Sequence, residues 1–266
     1  MLKFRFLGVP VGVHATFLFI AVLGAATYRG WDIVIFTLAA LVSILAHEMG
    51  HALTAKAFHA KGVDVTLYGL GGVTTYAHGR NMSHGRSFLV SAAGSFVGIV
   101  LGGIVWLLAR NGFLVDVNHE MSVFLNSLFF TSLVWGVLNW VPIVPLDGGH
   151  MVQSLAAMVN EEKAPLVGQI VTWIAVAIVV PLALSTGNQF AAIIVVLFAL
   201  SGVRDYRRRA DAARAAKLAE RGVVTPDEVH PAPPSPPPSD ASRPDASRPE
   251  AGRGDAGRSD STDFPI

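Results

Sequence analysis

The segment His47-Glu48-Met49-Gly50-His51 gathers the residues of this chain best suited to chemistry. On a helix, positions four apart share a face, so both imidazoles can hold one metal ion. Glu48, next to the first of them, is placed to reach water at the metal rather than the metal itself. Met49 is an apolar filler. The chain has no cysteine, which excludes disulfides, thiolate metal sites and iron–sulfur clusters, so a metal here is held by His, Asp or Glu. Because the cluster ends a long apolar run, where unpaired ionisable groups are costly, it is a functional hypothesis by default.

A catalytic zinc needs a third protein ligand and an open position for water. Asn139-Trp-Val-Pro142-Ile-Val-Pro145-Leu146-Asp147-Gly148-Gly149-His150 contains one acidic residue, Asp147. Its two prolines stop a regular helix and its glycine pair permits close chain approach. His150 is a candidate to support a ligand from outside the metal site or to serve the structure, because a fourth protein ligand would close the position that water needs. His14, His59, His78, His84 and His119 fall in loops or near interfaces, where solvated histidines are ordinary, and Glu161 and Glu162 read as a solvated loop.

These residues must be positioned by elements that live in a bilayer. The chain is 52% hydrophobic and 15% charged. Of its Lys, Arg, Asp and Glu residues, 17 lie in positions 1–203 and 22 in the last 63, so the first part is far below the roughly 25% charged share of soluble domains. Six apolar segments read as spans, near 13–28, 33–55, 87–109, 120–141, 166–184 and 188–203. With the N-terminus inside, inner segments carry eleven Lys and Arg and outer ones only Arg29 and Arg110, which predicts both termini in the cytoplasm. A signal peptide is a second reading of the start, weakened by Gly8, Pro10 and Gly12 interrupting the run. Phe4–His14 reads as an extended interfacial stretch, and Asp64–Tyr76 as a membrane-associated β-hairpin. The ends of the second and fourth spans fall on one side, so Asp147 can reach His47 and His51. Those histidines lie five and nine residues before Lys56, roughly 8 and 14 Å below the cytoplasmic surface at 1.5 Å per residue. The net charge of +1 and the lack of a basic, aromatic-interleaved patch give no argument for nucleic acid.

The fold expected is therefore an all-α polytopic membrane protein of about six transmembrane helices with a small β-hairpin. It divides into a membrane domain over 1–205, a cytoplasmic helical extension over 206–221 and a disordered Pro-, Ala-, Arg- and Asp-rich tail over 222–266.

On His47-Glu48-Met49-Gly50-His51, on Asn139-x-x-Pro142-x-x-Pro145-Leu146-Asp147-Gly148-Gly149, and on their order and orientation, the sequence resembles the site-2 protease family of intramembrane zinc metalloproteases. Gly8-Val-Pro10-Val-Gly-Val-His14 and Leu70-Gly71-Gly72-Val73 resemble that family's entry to its first span and its membrane-dipping hairpin. The likeness covers roughly residues 4–160. It implies one zinc per chain, with His47, His51 and Asp147 as ligands and Glu48 as general base. It also implies substrate-handling roles for Asn139, Pro145, Gly71 and Gly72. The third span departs from the family: where relatives commonly carry G-P-x-x-N, this chain has Gly94-Ser95-Phe96-Val97-Gly98, a small-x-x-x-small pattern suited to close helix packing.

The function expected is an intramembrane zinc metalloendopeptidase cutting within or near the transmembrane segment of a membrane protein. The resemblance points to a single-span substrate such as an anti-sigma factor, a membrane-tethered regulator or a remnant signal peptide. Short outer connections leave no room for a PDZ domain, and the last 63 residues lack the hydrophobic pattern of a nucleotide-sensing (CBS) domain, as in the compact sporulation-type subgroup. Control then falls to a regulatory membrane partner, a homo-oligomer or the tail. Two alternatives stand: a non-catalytic metal-binding membrane scaffold, and a metal transporter, which would call for carboxylates on other spans and internal repeats.

Overall fold

The computed structural model describes residues 1–69, 71–77, 82–112 and 117–220. Leu70, His78, Arg80 and the expected disordered tail lie outside the described residues. Residues Met1–Ala213 form one compact unit. Of the second, Arg214–Ile266, the described part is helical.

Four helices among the described residues are long and apolar enough to cross a membrane: α2 (Asp32–Ala57), α3 (His84–Arg110), α4 (His119–Leu138) and α6 (Ala164–Ser185). Their 20 to 27 residues give roughly 30 to 40 Å at 1.5 Å per residue, enough to cross the hydrocarbon core. Each is apolar around much of its circumference, with large side chains such as Phe96, Ile104, Phe130 and Ile178 left uncovered by protein, as a lipid solvent permits. Their ends carry ordinary signals. Ser83 and Asn118 cap α3 and α4 through side-chain oxygens, and Asp32 and Lys56 complement the dipole of α2.

α2, α3 and α4 pack on one another. Small residues permit this: Ser132 of α4 donates to Ser43 of α2 at 2.9 Å, both fully covered. An interhelical hydroxyl pair of this kind leaves no polar group facing lipid.

The first expected span differs. In place of a helix over 13–28 there is a 3₁₀ turn, Ala15–Leu18, and a short helix, α1 (Phe19–Gly24). These ten apolar residues are too few to cross the bilayer at any helical rise. Strand structure has taken the preceding residues. The stretch read as merely extended is a hairpin, β1 (Leu2–Phe6) and β2 (Val9–Val13), turned at Leu7 and Gly8, both with positive φ. The expected hairpin is present as β3 (Lys61–Tyr68) and β4 (Gly71–Ala77). The two join into one sheet of order β1-β2-β3-β4 because β2 pairs parallel with β3, Val11 opposite Val65 and Val13 opposite Leu67. Val9, Val11, Val65 and Leu67 point from this sheet onto Met49, Ala52 and Ala55 of α2, a buried cluster that fixes the sheet against the helix bearing the motif.

A second difference follows α4. The prolines do stop the helix, but after a compact turn the chain re-enters a helix, α5 (Asp147–Val159), with Asp147 in its first turn. Ile143, Ala175, Val176 and Ala199 form a separate core between that turn, α6 and α7 (Gln189–Glu220).

Candidate active site

His47, Glu48 and His51 occupy the second half of α2, and all three are buried. The His51 ring is fixed twice. Its Nδ1 donates to the Val90 carbonyl of α3 at 2.6 Å, which sets the tautomer and leaves the Nε2 lone pair facing inward. Its Nε2 edge lies against Gly94, where a β-carbon would fall 2.2 Å from Nε2. Residue 94 must therefore be glycine for the ring to stand where it does. His47 has no such anchor, since its buried Nδ1 lacks a hydrogen-bond partner among the described residues.

The turn after α4 delivers Asp147. Gly148 N–H donates to the Asn139 carbonyl at 2.6 Å, and Val144 N–H to the hydroxyl of fully buried Thr172 on α6 at 3.0 Å. Gly148 sits so close to the Trp140 and Val141 carbonyls that a side chain would clash. Thus clamped, the Asp147 carboxylate faces both histidines: Oδ2 is 3.3 Å from His47 Nε2 and Oδ1 is 3.3 Å from His51 Nε2. The two Nε2 atoms are 3.1 Å apart.

These three separations test whether a metal fits. Donors held tetrahedrally at about 2.0–2.1 Å stand roughly 3.3 Å from one another. Each imidazole nitrogen has the other, and one of the two carboxylate oxygens, at about that separation, and two imidazoles with a carboxylate are a donor set suited to zinc. No other cluster of three or more such groups occurs among the described residues.

Ser95, which the sequence left as packing, takes part. It is fully buried on α3 and donates to Asp147 Oδ2 at 2.7 Å. The signal available was its place beside Gly94, but nothing in the sequence said that its hydroxyl faced another helix.

The opposite wall is strand β4. Thr74 Oγ1 lies 2.6 Å from Glu48 Oε2 and 3.1 Å from the Glu48 carbonyl. Gly72 lies flat against the same side chain, since a β-carbon there would come 2.4 Å from Glu48 Cγ and 2.7 Å from Oε1. Gly71 faces open space. At the end of β3, burial and then the charge of Glu48 push the Tyr68 phenol above its usual pKa.

The remaining candidates lie farther out. Asn139 is buried at the end of α4. Pro145 and His150 line a cavity of about 110 Å³ with Gln153, Gln169 and Tyr206, and His150 stands outside the three-residue cluster. His14 caps the 3₁₀ turn, His84 lies 3.8 Å from Glu161, and His119 pairs with Asp32 at 3.0 Å at the opposite end of the helices.

Known proteins resemble this chain in sequence and in fold. Residues 114–182, which include the Asp147 turn, match peptidase family M50. Rip2 of Mycobacterium tuberculosis, provisionally a zinc metalloprotease, is 30% identical over 195 residues, 61% of this chain and 72% of that protein. The chain belongs to peptidase family M50. A zinc metalloprotease of Methanocaldococcus jannaschii is 27% identical over 157 residues, 57% of this chain and 44% of that protein. Stage IV sporulation protein FB of Bacillus subtilis is 31% identical over 151 residues, 57% and 49% respectively. The chain thus spans less than half the length of these two relatives. The solved site-2 protease from M. jannaschii shares the fold with a TM-score of 0.58 at 21% identity, covering 77% of this chain and 94% of that one. As an M50 member with several apolar spans, the chain is a multi-pass membrane protein.

Proposed function

We propose that this M50 member is an intramembrane zinc metalloendopeptidase that hydrolyses a peptide bond in or near a transmembrane segment. The observation carrying this reading is the set of 3.1–3.3 Å approaches among His47, His51 and Asp147 beside the Glu48 carboxylate, all between apolar helices. Zinc bound there would supply Lewis-acid activation of water and of the scissile carbonyl. The chain's own residues do the rest. His47, His51 and Asp147 would hold the metal, and His51 and Asp147 are oriented by Val90 and Ser95. Glu48 takes a proton from the attacking water at a carboxylate oxygen and returns it to the departing amine. Burial keeps bulk water from the site.

The substrate proposed is a single-span membrane protein whose helix unwinds before cleavage, such as an anti-sigma factor, a tethered regulator or a remnant signal peptide. β4 is the last strand of the sheet among the described residues, and an unwound peptide can add to such an edge by backbone hydrogen bonds. The Lys and Arg distribution supports a cytoplasmic site with both termini inside.

Glu48→Gln tests the reading. The variant should keep its zinc and cut a co-expressed single-span reporter about 100-fold or more slowly, the scale of general-base catalysis. Wild-type cleavage by the variant would sink it.

A further inference from the structure

Glu48 has one side-chain hydrogen-bond partner among the described residues, and it comes from the sheet, not from a helix. Thr74 Oγ1 approaches the Glu48 backbone carbonyl at 3.1 Å and the carboxylate Oε2 at 2.6 Å. A hydroxyl has one proton. The 2.6 Å contact has the length of a charge-assisted O–H···O⁻ bond, so the carboxylate takes it. Gly72, two residues earlier and on the same face of β4, leaves Oε1 and the Glu48 stem pressed on bare backbone. The carboxylate is therefore tethered at one oxygen, with the other beside bare backbone, by a single strand at an edge of its sheet.

We propose that Thr74 is a positioning residue for the base: its hydroxyl holds Glu48 Oε2 and thereby leaves Oε1 as the oxygen that receives the proton of the attacking water. This rests on the protease reading above. A glutamate has three side-chain torsions, and without the tether its carboxylate samples rotamers that point away from the reacting water. Tethering one oxygen removes that freedom without using the other.

The shape-conserving Thr74→Val and the hydroxyl-conserving Thr74→Ser separate this role from a structural one. Each is measured as the full chain, loaded with zinc, on a single-span reporter peptide in detergent. Thr74→Val should lower kcat about tenfold or more, the scale of a hydrogen bond to a charged group, with KM changed less than about twofold and zinc content intact. Thr74→Ser should restore kcat to within about twofold of wild type. A Thr74→Val enzyme at wild-type kcat, or a Ser variant as slow as the Val variant, overturns the proposal, because the second result would assign the effect to the methyl group. Isotope-edited infrared spectra give a readout independent of turnover. The carboxylate band that vanishes in Glu48→Gln should shift in Thr74→Val and not in Thr74→Ser, and an unmoved band also overturns the proposal. Should Thr74→Val fail to fold, Thr74→Ala, which adds no atoms, replaces it in both measurements. A wild-type chain that cuts no reporter would count against the protease reading alone, with the infrared band still deciding Thr74.

Discussion

The two walls of the site are built on different principles. The helical wall, α2, α3 and the start of α5, carries the three metal-donor residues, His47, His51 and Asp147, and fixes His51 and Asp147 by contacts from buried backbone and a buried hydroxyl: Val90, Gly94 and Ser95. The strand wall holds Glu48 from β4, whose residues alternate between half-buried and exposed. One wall is a packed interior that has little room to move. The other is an edge that an incoming peptide can reach. The division suits a protease whose metal must stay in place while its base meets a substrate, and it separates the consequences of mutation. Changes on the helical wall should be read in zinc affinity, and changes on the strand wall in turnover at full zinc occupancy.

Gly94→Ala is the most severe way to break the helical wall. Its β-carbon would fall 2.2 Å from His51 Nε2, and since α3 cannot retreat from α2 without losing their packing, the ring must turn away from the metal. Zinc affinity should fall by more than about 100-fold, beyond the range for loss of an outer partner, because a ligand is displaced. Competition with a chromophoric chelator measures it. Normal affinity would show that the helices can part.

Gly72→Ala is the matching insult to the strand wall. The added methyl would come 2.4 Å from Glu48 Cγ. Here the neighbour is a flexible side chain, so the carboxylate moves and the strand stays. A displacement near 1 Å at a catalytic group costs about 100-fold, and kcat should drop on that scale with zinc content unchanged. If zinc is lost with turnover, the two walls are not independent and the comparison fails.

How far the sequence reached follows the same division. His47 and His51 are legible because positions four apart on a helix share a face, Glu48 because it adjoins the first of them, and Asp147 because topology puts the ends of two spans on one side. The pairing of those four in space needed only helix geometry and orientation. What the sequence hid depends on contacts between elements far apart in the chain. Ser95 is one serine among several on apolar spans, and its role appears only when α3 is docked on α5. Thr74 is one of two threonines on a short strand, and strand phase alone did not say which of them faced α2. Leu2–Phe6 and Val9–Val13 alternate in side-chain type and read as extended, but Pro10 in the second run argues against a strand, and the pairing that places both, parallel to β3, is made with residues some fifty positions later. Helix α5 was missed because two prolines and two glycines read locally as a loop, whereas Thr172 and the Asn139 carbonyl organise them into a helix start.

Ser95→Ala is the mildest test and the sharpest one for the helical wall. The hydroxyl donates to Asp147 Oδ2, the oxygen that also faces His47, so its loss frees one torsion of the carboxylate and leaves all three donors in place. Outer partners of metal ligands are worth about 10- to 100-fold in affinity, and the lower end is expected because the clamped turn still positions the Asp147 backbone. Zinc affinity should therefore fall about tenfold, while kcat measured at saturating zinc changes less than about threefold. That split is the opposite of the one expected for Thr74→Val, which should lose turnover and keep zinc. If Ser95→Ala instead lowers kcat at saturating zinc as much as it lowers affinity, Ser95 reaches the reaction and not only the ligand. The boundary between a wall that holds metal and a wall that holds the base would then run through α3, and not between the helices and the sheet.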